Sequence, residues 1–261
     1  MSVQCCSGIM WGMGGPVETR WGDGLTASLV GAHRPGEVFQ AAALCMAEEL
    51  ACEGFRWVKS RKSLERRDGA GRWERIVLQP SRWNRSGAFV AFDVAQLIVQ
   101  EARLGEWRTA NHLLTVVRDD AVADTLCATS CFDMARVGFR NEVILTQADR
   151  RAGLLGALCD QVREIVVPWF ASTRDPARLA QAVPEALLGP FAFGPHLTEF
   201  LVSRNERGQA RLLIERILAF EPRQRDAFEQ GRVLARQGSQ SHPRWHAPET
   251  LGWTAAVLDL M

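Results

Sequence analysis

The stretch Gly54–Val94, GFRWVKSRKSLERRDGAGRWERIVLQPSRWNRSGAFVAFDV, alternates hydrophobic and charged residues with the period of two that marks half-buried β-strands. It predicts three strands, roughly Phe55 to Arg66, Trp73 to Gln79 and Phe89 to Leu97. The turn Asp68-Gly69-Ala70-Gly71 separates the first two, and Pro80, which cannot donate a ladder hydrogen bond, ends the second.

Outward from this stretch the pattern turns helical. Before it, Phe39, Ala43, Met46 and Leu50 fall on one helix face and Glu48, Glu49 and Glu53 on the other, with Gly54 as the stop. After it, Trp107 to Val117 fits a helix, while Asp119, Asp120 and Asp124 read as a polar turn or helix start. Val143 to Thr146 predicts a fourth strand. Asp149 caps a long helix that turns Leu154, Leu155, Leu158, Val162, Ile165, Val166 and Trp169 inward, and Pro168 kinks or finishes it. Asp175-Pro176 opens a further helix with Leu179, Val183 and Leu187 at helical spacing. Beyond Gly194-Pro195 come three short amphipathic helices, His196 to Arg204, Gln209 to Phe220 and Arg225 to Arg236, and a last apolar stretch from Trp253 to Leu260.

The expected fold is therefore α+β: an antiparallel sheet of three to four strands packed on helices over residues 37–190, with an all-helical C-terminal part over 191–261 packed on it. Residues 1–36, dense in glycine and without a sustained period, read as a loosely ordered extension.

With 261 residues, 47% hydrophobic and 23% charged, the chain can bury a substantial core without staples. A net charge of +1 gives no global reason to expect nucleic acid or an anionic membrane. The seven cysteines are irregularly spaced in a long chain, which points to reduced, mostly buried thiols rather than a disulfide framework. No signal peptide and no run of 18 apolar residues is visible, so cytoplasmic residence without a membrane span is expected.

Several of these elements together resemble the bacterial family catalogued as domain of unknown function 4304. The features are a helix ending in Gly54-Phe55, a basic strand reaching Leu64-Glu65-Arg66, and Val77-Leu78-Gln79 followed by Ser81. Phe89-Val90-Ala91-Phe92 comes next, and much later Val167-Pro168-Trp169-Phe170 with Asp175-Pro176 behind it. The resemblance spans about residues 38–190. It implies a small α+β domain with no established activity, and it carries over no catalytic residues.

Charge distribution supplies the candidate site. Between Arg56 and Arg85 lie ten basic residues against three acidic ones, a net +7 that leaves −6 for the rest of the chain. Arg61, Arg66, Arg75, Arg82, Trp83 and Arg85 are the candidate binding residues, because guanidinium groups bond carboxylate or phosphate in bidentate fashion. A solvated sheet face is the plainer account of the same charges. The reading favours binding over catalysis: a regulatory or immunity-like protein with an acidic protein partner, no cofactor, and a nucleic-acid binder or metal-dependent nuclease as the alternative. A nuclease would draw on Asp68, Glu74 and Gln79, but no nearby lysine accompanies them.

Other chemistry finds little footing. Cys127 with Cys131 and His242 with His246 share a spacing that a zinc site could use, yet Pro243 interrupts the second pair, so no metal is expected. There is no Gly-x-Ser-x-Gly elbow and no phosphate-cradling glycine loop. Cys159 reads as a core thiol, and His112 and His196 are isolated along the chain.

Overall fold

Strand order follows from the hairpin turns of the central stretch. In the computed structural model, which describes residues 20–111, 123–189, 194–238 and 248–261, that stretch opens a six-stranded antiparallel sheet. Its strands are β1 (Arg56–Val58), β2 (Ser63–Arg67), β3 (Arg72–Pro80), β4 (Ala91–Glu101), β5 (Thr125–Ser130) and β6 (Glu142–Ile144). β1 to β5 lie side by side in chain order, while β6 shares one flank of β4 with β5. β5 pairs with Gln96–Gln100 of β4 and β6 with Ala91–Asp93.

Two more strands are present than the upper expectation of four. Residues 55–66 form a tight hairpin rather than one strand. A 3-10 turn at Lys59–Arg61 and a left-handed Lys62 (φ 49°) fold β1 back on β2, with Val58 opposite Ser63. β5 gives little strand signal because its apolar part, Leu126-Cys127-Ala128, is only three residues long and Asp124 stands just before the strand. The Asp68–Gly71 turn is as expected; Gly71 takes φ 83°, a conformation glycine adopts without strain.

The sheet has one face on the core. Leu64, Ile76, Leu78, Phe92, Val94, Leu97 and Val99 are buried there. Against that face pack α2 (Pro35–Glu49) and the helix that follows β6, and α1 (Asp23–Gly31) packs on those two helices. α2 begins with Pro35 and is followed by a 3-10 turn that Gly54 closes at φ 83°. Trp21 and Leu29 are buried, so the expected loose extension is corrected for residues 20–36; residues 1–19 lie outside the described ones. Buried Arg151 fixes α1, donating to the carbonyls of Leu29 (2.8 Å), Val30 (3.2 Å) and Ala32 (2.9 Å) at its C-terminal end.

The long helix is split. α3 (Ala102–Ala110) and α4 (Cys131–Ala135) precede it, and it runs as α5 (Arg151–Gln161), a π turn (Val162–Val166) and α6 (Val167–Ser172). Pro168 does not end it: its missing N–H falls just after the wider turn, and the chain stays helical to Ser172. Leu154 is 39% exposed, against the inward position expected for it. After Asp175-Pro176 only one turn forms, α7 (Leu179–Ala182), although Leu179, Val183 and Leu187 are all buried.

The C-terminal part is helical as expected: α8 (Gly194–Ser203), α9 (Arg207–Phe220), α10 (Arg225–Arg236) and α11 (Pro248–Val257). α8 touches β5 and α3, and Arg204 pairs with Glu101 at the end of β4. Among the described residues no helix is long and apolar enough to cross a membrane.

Candidate functional site

Register decides where each arginine of the basic stretch goes. Arg66 lies opposite Glu74, and Glu65 lies opposite Arg75, so two neighbouring cross-strand pairs of reversed polarity point to opposite faces. The face shared by Leu64 and Ile76 is the core face, and Arg66, Arg72 and Glu74 lie on it. Arg56, Glu65, Arg67, Trp73 and Arg75 therefore lie on the outer face.

On the core face, Glu74 is fully buried and accepts from Arg72 Nε (2.9 Å), Arg174 Nε (3.0 Å) and Arg66 Nε. The arginines are themselves tied down. Arg66 also donates to the Glu53 carbonyl (3.0 Å) and stacks on Phe55, while Arg72 donates to the carbonyls of Thr173 (3.1 Å) and Phe170 (3.3 Å). Burial pushes the Glu74 carboxyl up, but hydrogen bonds from Arg174 and Arg66 and the charges of Arg66 and Arg72 outweigh it and hold it below the usual carboxylate range. Arg66 therefore leaves the candidate binding group and becomes part of the core.

On the outer face a second glutamate is covered by arginine. Glu65 is 1% exposed although its strand face is turned to solvent. Its carboxylate meets Arg61 Nη1 (3.2 Å), Arg75 Nε (3.4 Å) and Arg67 Nη2 (3.9 Å), and accepts from Ser63 Oγ (2.9 Å). The same three guanidiniums surround one indole: their carbons lie 3.7 Å (Arg67), 4.5 Å (Arg75) and 5.2 Å (Arg61) from the Trp73 ring centroid. Burial lowers the Arg75 pKa, Glu65 opposes this, and Arg61 and Arg67 lower it further; a guanidinium still stays protonated. Three cations thus share one anion, and the side chains of Arg61 and Arg67 remain 45% and 41% exposed.

Arg82, Trp83 and Arg85 form a separate group. They sit in the loop after Pro80, at the opposite end of β3 from Trp73, and all three are exposed. The Arg82 guanidinium lies 4.8 Å from the centre of the Trp83 ring. The structure thus brings together Arg61 and Arg75 of the six candidates, and adds Arg67, Trp73 and Glu65 from the same stretch. The signal for them was present: counting in twos from Ile76 and Leu78 assigns Trp73 and Arg75 to the outer face.

The remaining chemical readings can be placed. Cys127 is buried in β5 and burial pushes its thiol up to about 12, far from a ready ligand or nucleophile. The Cys131 side chain, His112, His242 and His246 lie outside the described residues, so the zinc set does not come together within them. Among the described residues no group of three His, Cys, Asp or Glu is placed to hold a metal ion. Glu74, central to the nuclease reading, has both oxygens engaged by arginine. Cys159 is buried with its thiol raised to about 12. His196 is not isolated in space: its Nδ1 lies 2.9 Å from Arg108, a buried guanidinium that also bonds Glu199 (2.7 Å).

No family model matches the chain, and no curated protein and no solved structure matches it either.

Proposed function

We propose that this chain is a non-catalytic binding protein, regulatory or immunity-like, that captures an acidic protein partner on the outer face of its sheet. One observation carries the reading: Arg61, Arg67 and Arg75 crowd a single buried carboxylate and a single indole, leaving two exposed guanidiniums with donors to spare. A partner carboxylate placed over Trp73 would gain bidentate bonds from groups that Glu65 already holds in position, so little side-chain entropy is lost on binding. The cytoplasm is the compartment this reading assumes, in keeping with four free thiols at Cys45, Cys52, Cys127 and Cys159. The resemblance to domain of unknown function 4304 adds no ligand to it.

The test uses labelled polyglutamate as the acidic probe and a single-stranded DNA of equal charge as its rival, each titrated over a salt series. Wild-type protein is expected to bind polyglutamate, and Arg61→Gln with Arg67→Gln to weaken that binding at least tenfold at a temperature where circular dichroism shows the variant folded, the lost pairs to Glu65 lowering its melting temperature somewhat. Equal binding by the variant overturns the proposal. Tighter binding of DNA, with a steep fall as salt rises, replaces the acidic protein by nucleic acid on the same face.

A further inference from the structure

A second surface lies on the far side of the sheet from β1. β6 has a strand on one flank only, since among the described residues it pairs with β4 alone. The Val94 N–H donates to the Asn141 carbonyl (2.8 Å), and the Leu145 N–H donates to the Val90 carbonyl (2.7 Å). Bonded pairs in an antiparallel ladder recur every second residue, so Asn141, Val143 and Leu145 turn their backbone groups toward β4. Glu142 and Ile144 must then turn theirs outward, away from the sheet. An open edge of this kind is a template for another strand.

That edge borders a cavity of about 1030 Å³ walled by α5. Its apolar lining includes Ile144 and Leu154, which are 48% and 39% exposed, large fractions for aliphatic side chains. Arg140 stands toward one end of β6 and Arg150 beyond the other. Arg150 donates to a neutral group, the Gln147 side chain (3.2 Å), and among the described residues no carboxylate pairs with either arginine. The cavity therefore combines outward-turned backbone donors and acceptors, an apolar wall and a cation at each end.

We propose that this cavity takes an extended segment of a partner protein, added to β6 as a further antiparallel or parallel strand, with aliphatic side chains against Ile144 and Leu154 and a carboxylate at each end for Arg140 and Arg150. Backbone bonds to Glu142 and Ile144 supply affinity and alternate side chains supply selectivity, as in other strand-addition complexes. From Arg140 to Thr146 the edge runs roughly 20 Å at about 3.3 Å per residue, so about six partner residues span it. The middle of the segment passes Glu142, which Asp93 faces across the ladder. An uncharged or hydroxyl-bearing residue belongs there.

The test uses the full chain and a blocked heptapeptide of alternating valine and threonine with aspartate at both ends. Two control peptides carry asparagine at the ends or N-methylated amides at alternate positions. Titration followed by amide chemical shifts is expected to show saturable binding, with the largest shifts at Glu142 and Ile144. The N-methylated peptide should bind at least tenfold more weakly, and Arg140→Glu with Arg150→Glu should remove the preference for aspartate over asparagine ends. Ile144→Pro deletes an outward N–H at an edge where proline is tolerated, and Leu154→Glu spoils the apolar wall from an exposed helix position; either should weaken binding tenfold. No saturable binding up to 1 mM, or equal binding of the N-methylated peptide, overturns the proposal. Self-association of the wild type that Ile144→Pro abolishes also overturns it, by giving the edge to a second copy of the chain.

Discussion

The two faces of the sheet each carry a buried glutamate ringed by three arginines, and they differ in what surrounds the arginines. Glu74 on the core face is held by Arg66, Arg72 and Arg174, two of which spend further donors on helix and turn carbonyls. Glu65 on the outer face is held by Arg61, Arg67 and Arg75, which spend theirs on one indole and on solvent. The same side-chain chemistry therefore makes a structural lock on one side and an open receptor on the other. What separates them is whether a helix closes over the cluster. Burial removes water as an alternative partner, so every unused guanidinium donor must find a carbonyl; exposure leaves donors available to a ligand.

The lock is the easier of the two to break. Glu74→Gln keeps the shape but leaves the buried guanidiniums of Arg66 and Arg72 without their anion, at an expected cost of about 3–5 kcal/mol. Urea unfolding at pH 7 measures it, and a loss under about 1 kcal/mol would mean that the carbonyl bonds alone hold these arginines. The pH dependence has a fixed sign. A carboxyl whose folded pKa is depressed contributes stability that is complete above its unfolded pKa, about 4.3, and is lost as pH falls toward the folded value. The gap between wild type and Glu74→Gln should stay constant from pH 7 to about pH 5 and close in more acid solution.

Glu65→Gln should cost less, about 1–2 kcal/mol, because Arg61 and Arg67 can turn to water once the anion is gone and only Arg75 is left poorly solvated. The same change should alter binding in an informative way. If Glu65 merely neutralises the patch, its removal strengthens capture of polyglutamate. If it holds the guanidiniums in place over Trp73, capture weakens despite the added positive charge. Comparing Glu65→Gln with Arg61→Glu in one titration separates the two roles.

Much of this architecture was legible from residue order, and the losses have physical causes. The helix before Gly54, the hairpin at Asp68–Gly71 and the C-terminal helices announce themselves through period and turn chemistry. The split of the first strand did not, since Lys62 occupies a left-handed conformation that lysine rarely signals. The ordered helix at Asp23–Gly31 was masked by its glycines; its stability comes from distant Arg151 gripping its last carbonyls, a contact no local window contains. Within the candidate site, pooling all the arginines as one charge concealed that Arg66 and Arg67 face opposite ways. Alternation from Leu64 carries that information, whereas net charge does not.

Asp93 supplies the limiting case of the comparison, a sheet carboxylate that no guanidinium pairs with among the described residues. It lies opposite Gln79 on one side and Glu142 on the other. Burial raises its pKa and the Glu142 charge raises it further. A carboxyl raised in the folded state opposes folding when ionised: the penalty is complete above the folded pKa and disappears as pH falls through it toward the unfolded value, about 3.9. Asp93→Asn should therefore stabilise the protein at pH 7, by about 0.5 kcal/mol, since the group is partly exposed and like charges opposite one another on neighbouring strands cost little more. The gain should vanish near pH 4, opposite in sign to the Glu74→Gln effect, and it fades at higher pH than that effect does, because the Asp93 pKa is raised and the Glu74 pKa is depressed. A destabilised Asp93→Asn at pH 7 would show instead that an unpaired carboxylate on this sheet is held by something other than arginine.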